Sequence, residues 1–329
     1  MTPTAVAHFG DDHNSINYDD GIVNYVWSAF TNSANFNDSF LWTDSHFTSA
    51  VIGYNLKYRS TFRYKANNSS FTPSVGLTKL YPTSGIMISR PSATLPSNGL
   101  AATIKLTSTD DKQDGHNHDD AGSYVISLNS NLIAGEVGGT KWYNGSAFNA
   151  DRYKSPLINS YGHPVPLING KMQQHYWSKP ANRPSIISKN ITANRDSISY
   201  NLRNVYPNLE LTSLTRSFTY NRSPSSSVVI QDIATFSSSS RFETALTTGC
   251  NWSVVSVPST SKGKTVAKGR FTCDNGSTYL YALIESNSPF NLNKVEKFLE
   301  YQVSFTRIAI QFNAPVLSAD VKVTYTTTP

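Results

Sequence analysis

The 329 residues suffice for one large or two medium domains with a proper core. Only 15% are Asp, Glu, Lys or Arg and 38% are hydrophobic, which excludes a charge-rich disordered chain and leaves Ser, Thr and Asn to supply the polarity. The net charge of +6 favours an anionic partner, but the absence of Lys/Arg runs and of zinc-finger or RRM-like motifs argues against nucleic acid.

Residues 1–65 read as a short helical segment, the remnant or collar of something larger. In DDGIVNYVWSAF, Ile22, Val23, Val26, Trp27 and Phe30 recur at helical spacing behind Asp19 and Asp20 as caps. MTPTAVAHFGDDHNS lacks the basic start and apolar core of a signal peptide, so Met1 reads as a start placed after a removed signal or a removed domain. No stretch approaches the ~18–20 apolar residues of a membrane span.

Residues 66–185 read as a first β-sheet region. GIMISRP (85–91), LAATIKLTS (100–108), GSYVISLNSNLIAGEV (122–137) and VPLINGKMQ (165–173) have strand composition, with turns at 129–131 and at Asn169-Gly170. Residues 186–329 read as a second β-sandwich region, from SIISKNITA to SADVKVTYTTT. The Ser-rich pieces 223–227 and 237–240 are short enough for turns. The expected fold is all-β, a large antiparallel β-sandwich behind a short helical N-terminal segment.

Cys250 and Cys273 bracket a strand–loop–strand stretch, so they form either a disulfide across a hairpin or two separate buried thiols. Asn-x-Ser/Thr sequons, Asn190 and Asn251 among them, support secretion mildly, since an Asn-, Ser- and Thr-rich chain makes many by chance.

The chemistry concentrates in DGHNHDDAGSY (114–124). With seven histidines in the whole chain, two of them stand two residues apart between acidic groups. On extended backbone His116 and His118 point to one face. A metal site needs further ligands from elsewhere, and the sequence offers two. Glu136 interrupts an apolar strand in LIAGEVGG, where a carboxylate is costly to bury without a cation or donor. His163, in NSYGHPVPLING, precedes a proline and is therefore held extended. The bland alternative is a polar surface loop.

DGHNHDDAGSYVISLNSNLIAGEVGG followed by RYKSPLINSYGHPVPLINGKMQ closely resembles the β-sheet half of the heparinase II/III-like polysaccharide lyases. The stretch 206–248, with its Tyr-Pro, Arg-Ser-Phe and Gln-Asp pieces, resembles that family's second sheet region. The resemblance implies that His118, Glu136 and His163 ligate a structural Zn²⁺, and that His116 is the neighbouring catalytic residue facing the substrate. Asp120 and Gly122 match positions that shape the start of the strand. The chain departs from the family in having Glu136 where Asp is commoner. It also departs in having only about 60 residues ahead of the β region, where the family has an α/α-toroid carrying a catalytic tyrosine. Tyr18, Tyr25, Tyr143, Tyr153 and Tyr161 match no such motif.

The function implied is β-elimination on a uronate-containing acidic polysaccharide such as a glycosaminoglycan or alginate, by a secreted or periplasmic protein. A toroid would come from another chain or domain. Arg152 and Lys154, in DRYKSP, are candidates for pairing with substrate carboxylate or sulfate. The competing reading is a non-catalytic glycan-binding or assembly protein that retains the sandwich. A hydrolase is disfavoured: there is no Gly-x-Ser-x-Gly elbow, and the adjacent Asp119 and Asp120 would point apart on a strand.

Overall fold

The computed structural model describes residues 76–82, 85–93, 99–106, 118–129, 131–137, 150–174 and 184–329. The helical segment expected over 1–65 and the candidate His116 lie outside the described residues.

Five short strands, β1 (Thr78–Tyr81), β2 (Ile86–Ser89), β3 (Leu100–Ile104), β4 (Tyr124–Leu128) and β5 (Asn131–Gly135), form one antiparallel meander in sequence order. A two-residue strand β6 (Leu167–Ile168) follows, then β7 (Ser185–Ile191), β8 (Arg195–Asn201), β9 (Leu211–Asn221) and β10 (Ser227–Ser240). After these come β11 (Phe242–Thr248), β12 (Asn251–Ser261), β13 (Lys264–Cys273), β14 (Thr278–Ser286), β15 (Phe290–Asn291), β16 (Val295–Glu300), β17 (Val303–Phe312) and β18 (Val316–Thr326).

The large sheet has eight strands in the order β12-β13-β14-β18-β10-β9-β8-β7, and the third sheet runs β15-β17-β11-β6 with β16 paired to β17. Among the described residues the only helices are short 3-10 turns. The expected antiparallel all-β architecture is the observed one.

Period-two patterning explains the large sheet. In β9, Leu214, Arg216, Phe218 and Tyr220 are buried and alternate with less buried neighbours; in β10, Val228, Ile230, Asp232 and Ala234 do the same. Their inner faces join a single apolar cluster that includes Leu100 and Ile126 of the meander, Phe242 and Ile308 of the third sheet, and Phe271 and Tyr325 of the large sheet.

Two expectations are corrected. Residues 237–240 are the end of β10 rather than a turn, carried past an irregularity after Thr235. The stretch 165–173 holds only two strand residues, because Asn169 and Gly170 take positive φ and turn the chain back, so that Ile168 bridges Lys171.

The cysteines form the disulfide, Cys250–Cys273, with Cα atoms 5.0 Å apart at the start of the β12–β13 pair. It closes a sequence separation of 23 residues. The double variant Cys250→Ser/Cys273→Ser is expected to lose about 3 kcal/mol in urea unfolding, the loop-closure entropy for that length. No difference from the wild type would mean that the hairpin already constrains the unfolded chain.

Candidate functional site

The site is assembled from three loops. Residues 118–123 lead into β4 and are stitched at both ends: Asp119 N–H donates to the Ile158 carbonyl (3.0 Å), and Gly122 N–H to the Lys105 carbonyl (2.9 Å). Between these, Gln173 clamps Ala121, accepting its N–H (2.8 Å) and donating to its carbonyl (3.0 Å). The second loop is a 3-10 turn, Ser160–Gly162, capped by Asn159, whose side chain accepts from Tyr161 N–H. It ends on His163 in extended conformation (φ −104°, ψ 157°), as the following Pro164 requires. Ser160 Oγ donates to the Asp119 carbonyl (2.6 Å) and ties the two loops. Glu136 follows β5, its N–H bonded to the Tyr124 carbonyl (2.8 Å).

These loops bring His118, Asp120, Glu136 and His163 together, all buried. One ligand atom from each of His118, Asp120 and His163 lies within 4.8 Å of the others. The two imidazole rings are 5.3 Å apart and tilted by 53°. Both Glu136 oxygens contact His163 Nδ1, at 2.8 and 2.7 Å. In the neutral tautomer that donates Nδ1–H to Glu136, Nε2 carries the lone pair; Nε2 is buried and has no hydrogen-bond partner among the described residues. A carboxylate bonded to one ring nitrogen, with the other nitrogen left open, is the arrangement that orients a metal-ligating imidazole.

Charge balance shapes the site. Lys105 Nζ donates to both Asp120 oxygens at 3.1 Å. Burial alone would raise the Asp120 pKa, but the Lys105 ammonium, with His163 and His118, outweighs it and holds the carboxyl below its ordinary value. For His163, burial disfavours the charged form, yet the Glu136 carboxylate more than compensates, and the pKa is raised. A carboxylate has about four lone-pair sites. Asp120 can therefore serve Lys105 and a metal ion at once, and the donor set of imidazoles and carboxylate suits zinc.

The resemblance implies His118, Glu136 and His163 as ligands, and the structure brings His118 and His163 within ligand reach of each other. It sets Glu136 against His163 Nδ1 and puts Asp120 beside the two imidazoles. The resemblance implies for Asp120 only a role in shaping the start of the strand, and sequence reasoning misses Lys105. A lysine in the apolar run LAATIKL was the available signal.

Arg152 and Lys154 both belong to the 3-10 turn Ala150–Lys154 but face different surroundings. The Arg152 guanidinium is buried and lies 5.6 Å from the Tyr153 ring centroid. Lys154 is exposed in an ion pair with Asp151 (2.8 Å), the kind of contact worth about 0–1 kcal/mol. Asn159 Nδ2 donates to the Tyr153 carbonyl (2.9 Å), tying this turn to the His163 loop. Two cations lie over the Tyr161 ring, Arg307 at 4.3 Å and Lys294 at 4.8 Å from its centroid, and its hydroxyl donates to Glu296 (2.7 Å).

A further clamp comes from the large sheet. Arg216 is fully buried and forms a bidentate pair with Asp232 at 2.7 Å on each side. Its Nη1 donates to the Gly122 carbonyl (2.9 Å) and the Pro164 carbonyl (2.6 Å). One guanidinium thus holds both histidine loops from behind.

The elements and cluster define an antiparallel all-β sandwich with a buried histidine–carboxylate centre. No family model matches the sequence, and no curated protein matches it. Solved structures share the fold. Heparan sulfate lyase HepC from Pedobacter heparinus is similar over 99% of this chain and 45% of its own length, with a TM-score of 0.65 and 13% identity. A heparinase III structure gives 0.65 and 11% identity over 99% of this chain and 45% of that one. The chain therefore spans less than half the length of these proteins, and at such identity the likeness establishes a polysaccharide lyase-like fold. No helix among the described residues is long and apolar enough to cross a membrane.

Proposed function

We propose that this chain is the β-sandwich portion of a polysaccharide lyase that cleaves a uronate-containing acidic polysaccharide by β-elimination. The observation that carries the proposal is the buried group of His118, Asp120 and His163, with Glu136 backing His163, on a fold shared with heparan sulfate lyases. Zn²⁺ would be held by His118, His163 and Asp120, with Glu136 orienting His163 or sharing the ion. It would supply a structural cross-link between loops that are distant in sequence.

In the reaction a base takes the C5 proton of the uronate, the C4–O bond breaks, a C4=C5 double bond forms, and the departing oxygen receives a proton. His116 is assigned as the base or the neutraliser of the substrate carboxylate. Lys154, with its exposed ammonium, would meet substrate carboxylate or sulfate, and Arg152, being buried, would hold the turn that presents it. An α/α-toroid, on this polypeptide or a separate one, would complete the groove. The disulfide supports a secreted or periplasmic location.

The test has two readouts. Elemental mass spectrometry is expected to find about one zinc per wild-type chain, in line with a single closed structural site, and none in His163→Ala. Ultraviolet absorbance of the unsaturated uronate, with heparan sulfate as first substrate, is expected to rise with wild type and not with His116→Ala. Zinc without double-bond formation, with the toroid supplied, would favour a non-catalytic glycan-binding or assembly protein. A folded wild type without zinc would remove the metal centre from the proposal.

A further inference from the structure

We infer that the outer face of the large sheet carries a second binding site for an acidic glycan, separate from the histidine centre. The substrate class rests on the reading above; the site itself rests on different residues. In β13 and β14 the inner positions Ala267, Phe271, Leu280 and Ala282 are buried, and Phe271 stacks on Tyr325, whose hydroxyl meets Tyr124. The opposite parity puts Lys268 and Arg270 of β13 beside Tyr279 and Tyr281 of β14 on the solvent side.

The register pairs Arg270 with Tyr281 and Thr272 with Tyr279. The cations lean diagonally: Lys268 Nζ lies 5.5 Å from the Tyr281 ring centroid, and the Arg270 guanidinium 5.1 Å from that of Tyr279. Two cation–aromatic pairs thus repeat along the strands at the ~6.6–6.8 Å spacing of alternate residues. Neither Lys268 nor Arg270 has a carboxylate partner among the described residues. On the neighbouring strand β18, Lys322 is already paired with Glu285.

Tyr279 also borders a concavity at the rim where the large sheet meets the β4–β5 turn. Tyr279, 39% exposed, forms one wall of an open cavity of about 430 Å³ that Asn129, Ser226 and Thr278 also line. Amide and hydroxyl groups suit sugar hydroxyls, and tyrosine ring faces suit the apolar faces of pyranose rings. The two cations supply charge-assisted bonds to carboxylate or sulfate. A neutral glycan would leave both cations unanswered, so the occupant is an acidic oligosaccharide. Such a platform would keep a long polymer attached while its cleavage proceeds elsewhere.

Affinity electrophoresis of the full chain, in gels cast with heparan sulfate or with a neutral polysaccharide, tests this. The wild type is expected to be retarded by the acidic polymer alone. The variant Lys268→Ser/Arg270→Ser is expected to bind about tenfold more weakly, equivalent to about 1.4 kcal/mol. Tyr279→Ala alone should weaken binding without altering its salt dependence. His163→Ala should remain retarded, which separates this site from the metal centre and from failure of the lyase reading. Equal retardation of the wild type and the Lys268/Arg270 variant, or no retardation of the wild type by heparan sulfate, would overturn the inference.

Discussion

Arg216→Met is expected to destabilise the chain by about 3–5 kcal/mol, the loss typical of removing one partner from a buried ion pair. The substitution keeps volume but leaves Asp232, itself buried, with a charge its surroundings cannot solvate. The Thr244 hydroxyl donates to Asp232 at 3.3 Å and is too weak a partner to replace a bidentate guanidinium. The same change strips the donor from the Gly122 and Pro164 carbonyls, so both histidine loops lose their anchor to β9. Urea unfolding measures the first effect. If the proposed zinc is bound, its retention against a chelator measures the second, which should fail at urea concentrations where the sheet is still folded. The double variant Arg216→Met/Asp232→Leu should recover most of the stability, because no charge is then stranded, but not the zinc retention. A loss below about 1 kcal/mol in the single variant would mean that the pair is solvated, as surface pairs are.

The signal for that pair stands in the sequence, although the motif-based expectations do not use it. In LTSLTRSFTYN an arginine falls on the parity of Leu214, Phe218 and Tyr220. In SVVIQDIATF an aspartate falls on the parity of Val228, Ile230 and Ala234. Opposite charges on the core-facing parity of adjacent strands must meet inside, and β9 and β10 put Arg216 directly opposite Asp232. What the strings could not supply was the reach of the guanidinium to Gly122 and Pro164. Those contacts lie 94 and 52 residues away in sequence and depend on how the sheets pack.

The histidine loops were legible for a different reason. Glu136 breaks a local rule, as a carboxylate in an apolar strand, while His118 and His163 stand out as scarce imidazoles, one in an acidic stretch and one before a proline. The division of labour among them was not legible. Which carboxylate faces a metal and which one orients an imidazole is set by loop geometry at the scale of an ångström. Lys105 and Asp120 form a pair because the Lys105 and Gly122 backbones are bonded to each other, a register visible only in the folded chain. The stretch 165–173 has the composition of a longer strand because VPLI leads into the Asn169-Gly170 turn, while the paired segment is two residues long.

Gly135→Ala is the second large effect expected. Gly135 has φ +98°, and a Cβ there would lie 2.0 Å from the Tyr124 carbonyl oxygen, which is backbone and cannot swing aside. That carbonyl also accepts from Glu136 N–H, and the Gly135 carbonyl accepts from Thr247 Oγ1 (2.7 Å). The positive φ adds about 1–2 kcal/mol for a residue with a Cβ. Overpacking against fixed atoms adds about 1–3 kcal/mol. A total of roughly 2–5 kcal/mol in urea unfolding follows from these two ranges. Gly263→Ala separates them, since Gly263 has a similar φ of +75° but nothing within 4 Å of its Cβ position. It should show the backbone part alone. The excess in Gly135→Ala is then the clash that pushes β5 off β4 and turns Glu136 away from His163. Zinc content should fall in Gly135→Ala and stay at the wild-type level in Gly263→Ala. Equal losses of stability with zinc retained in both would mean that the β4–β5 contact yields without moving Glu136, and that the carboxylate is held by His163 rather than by the strand.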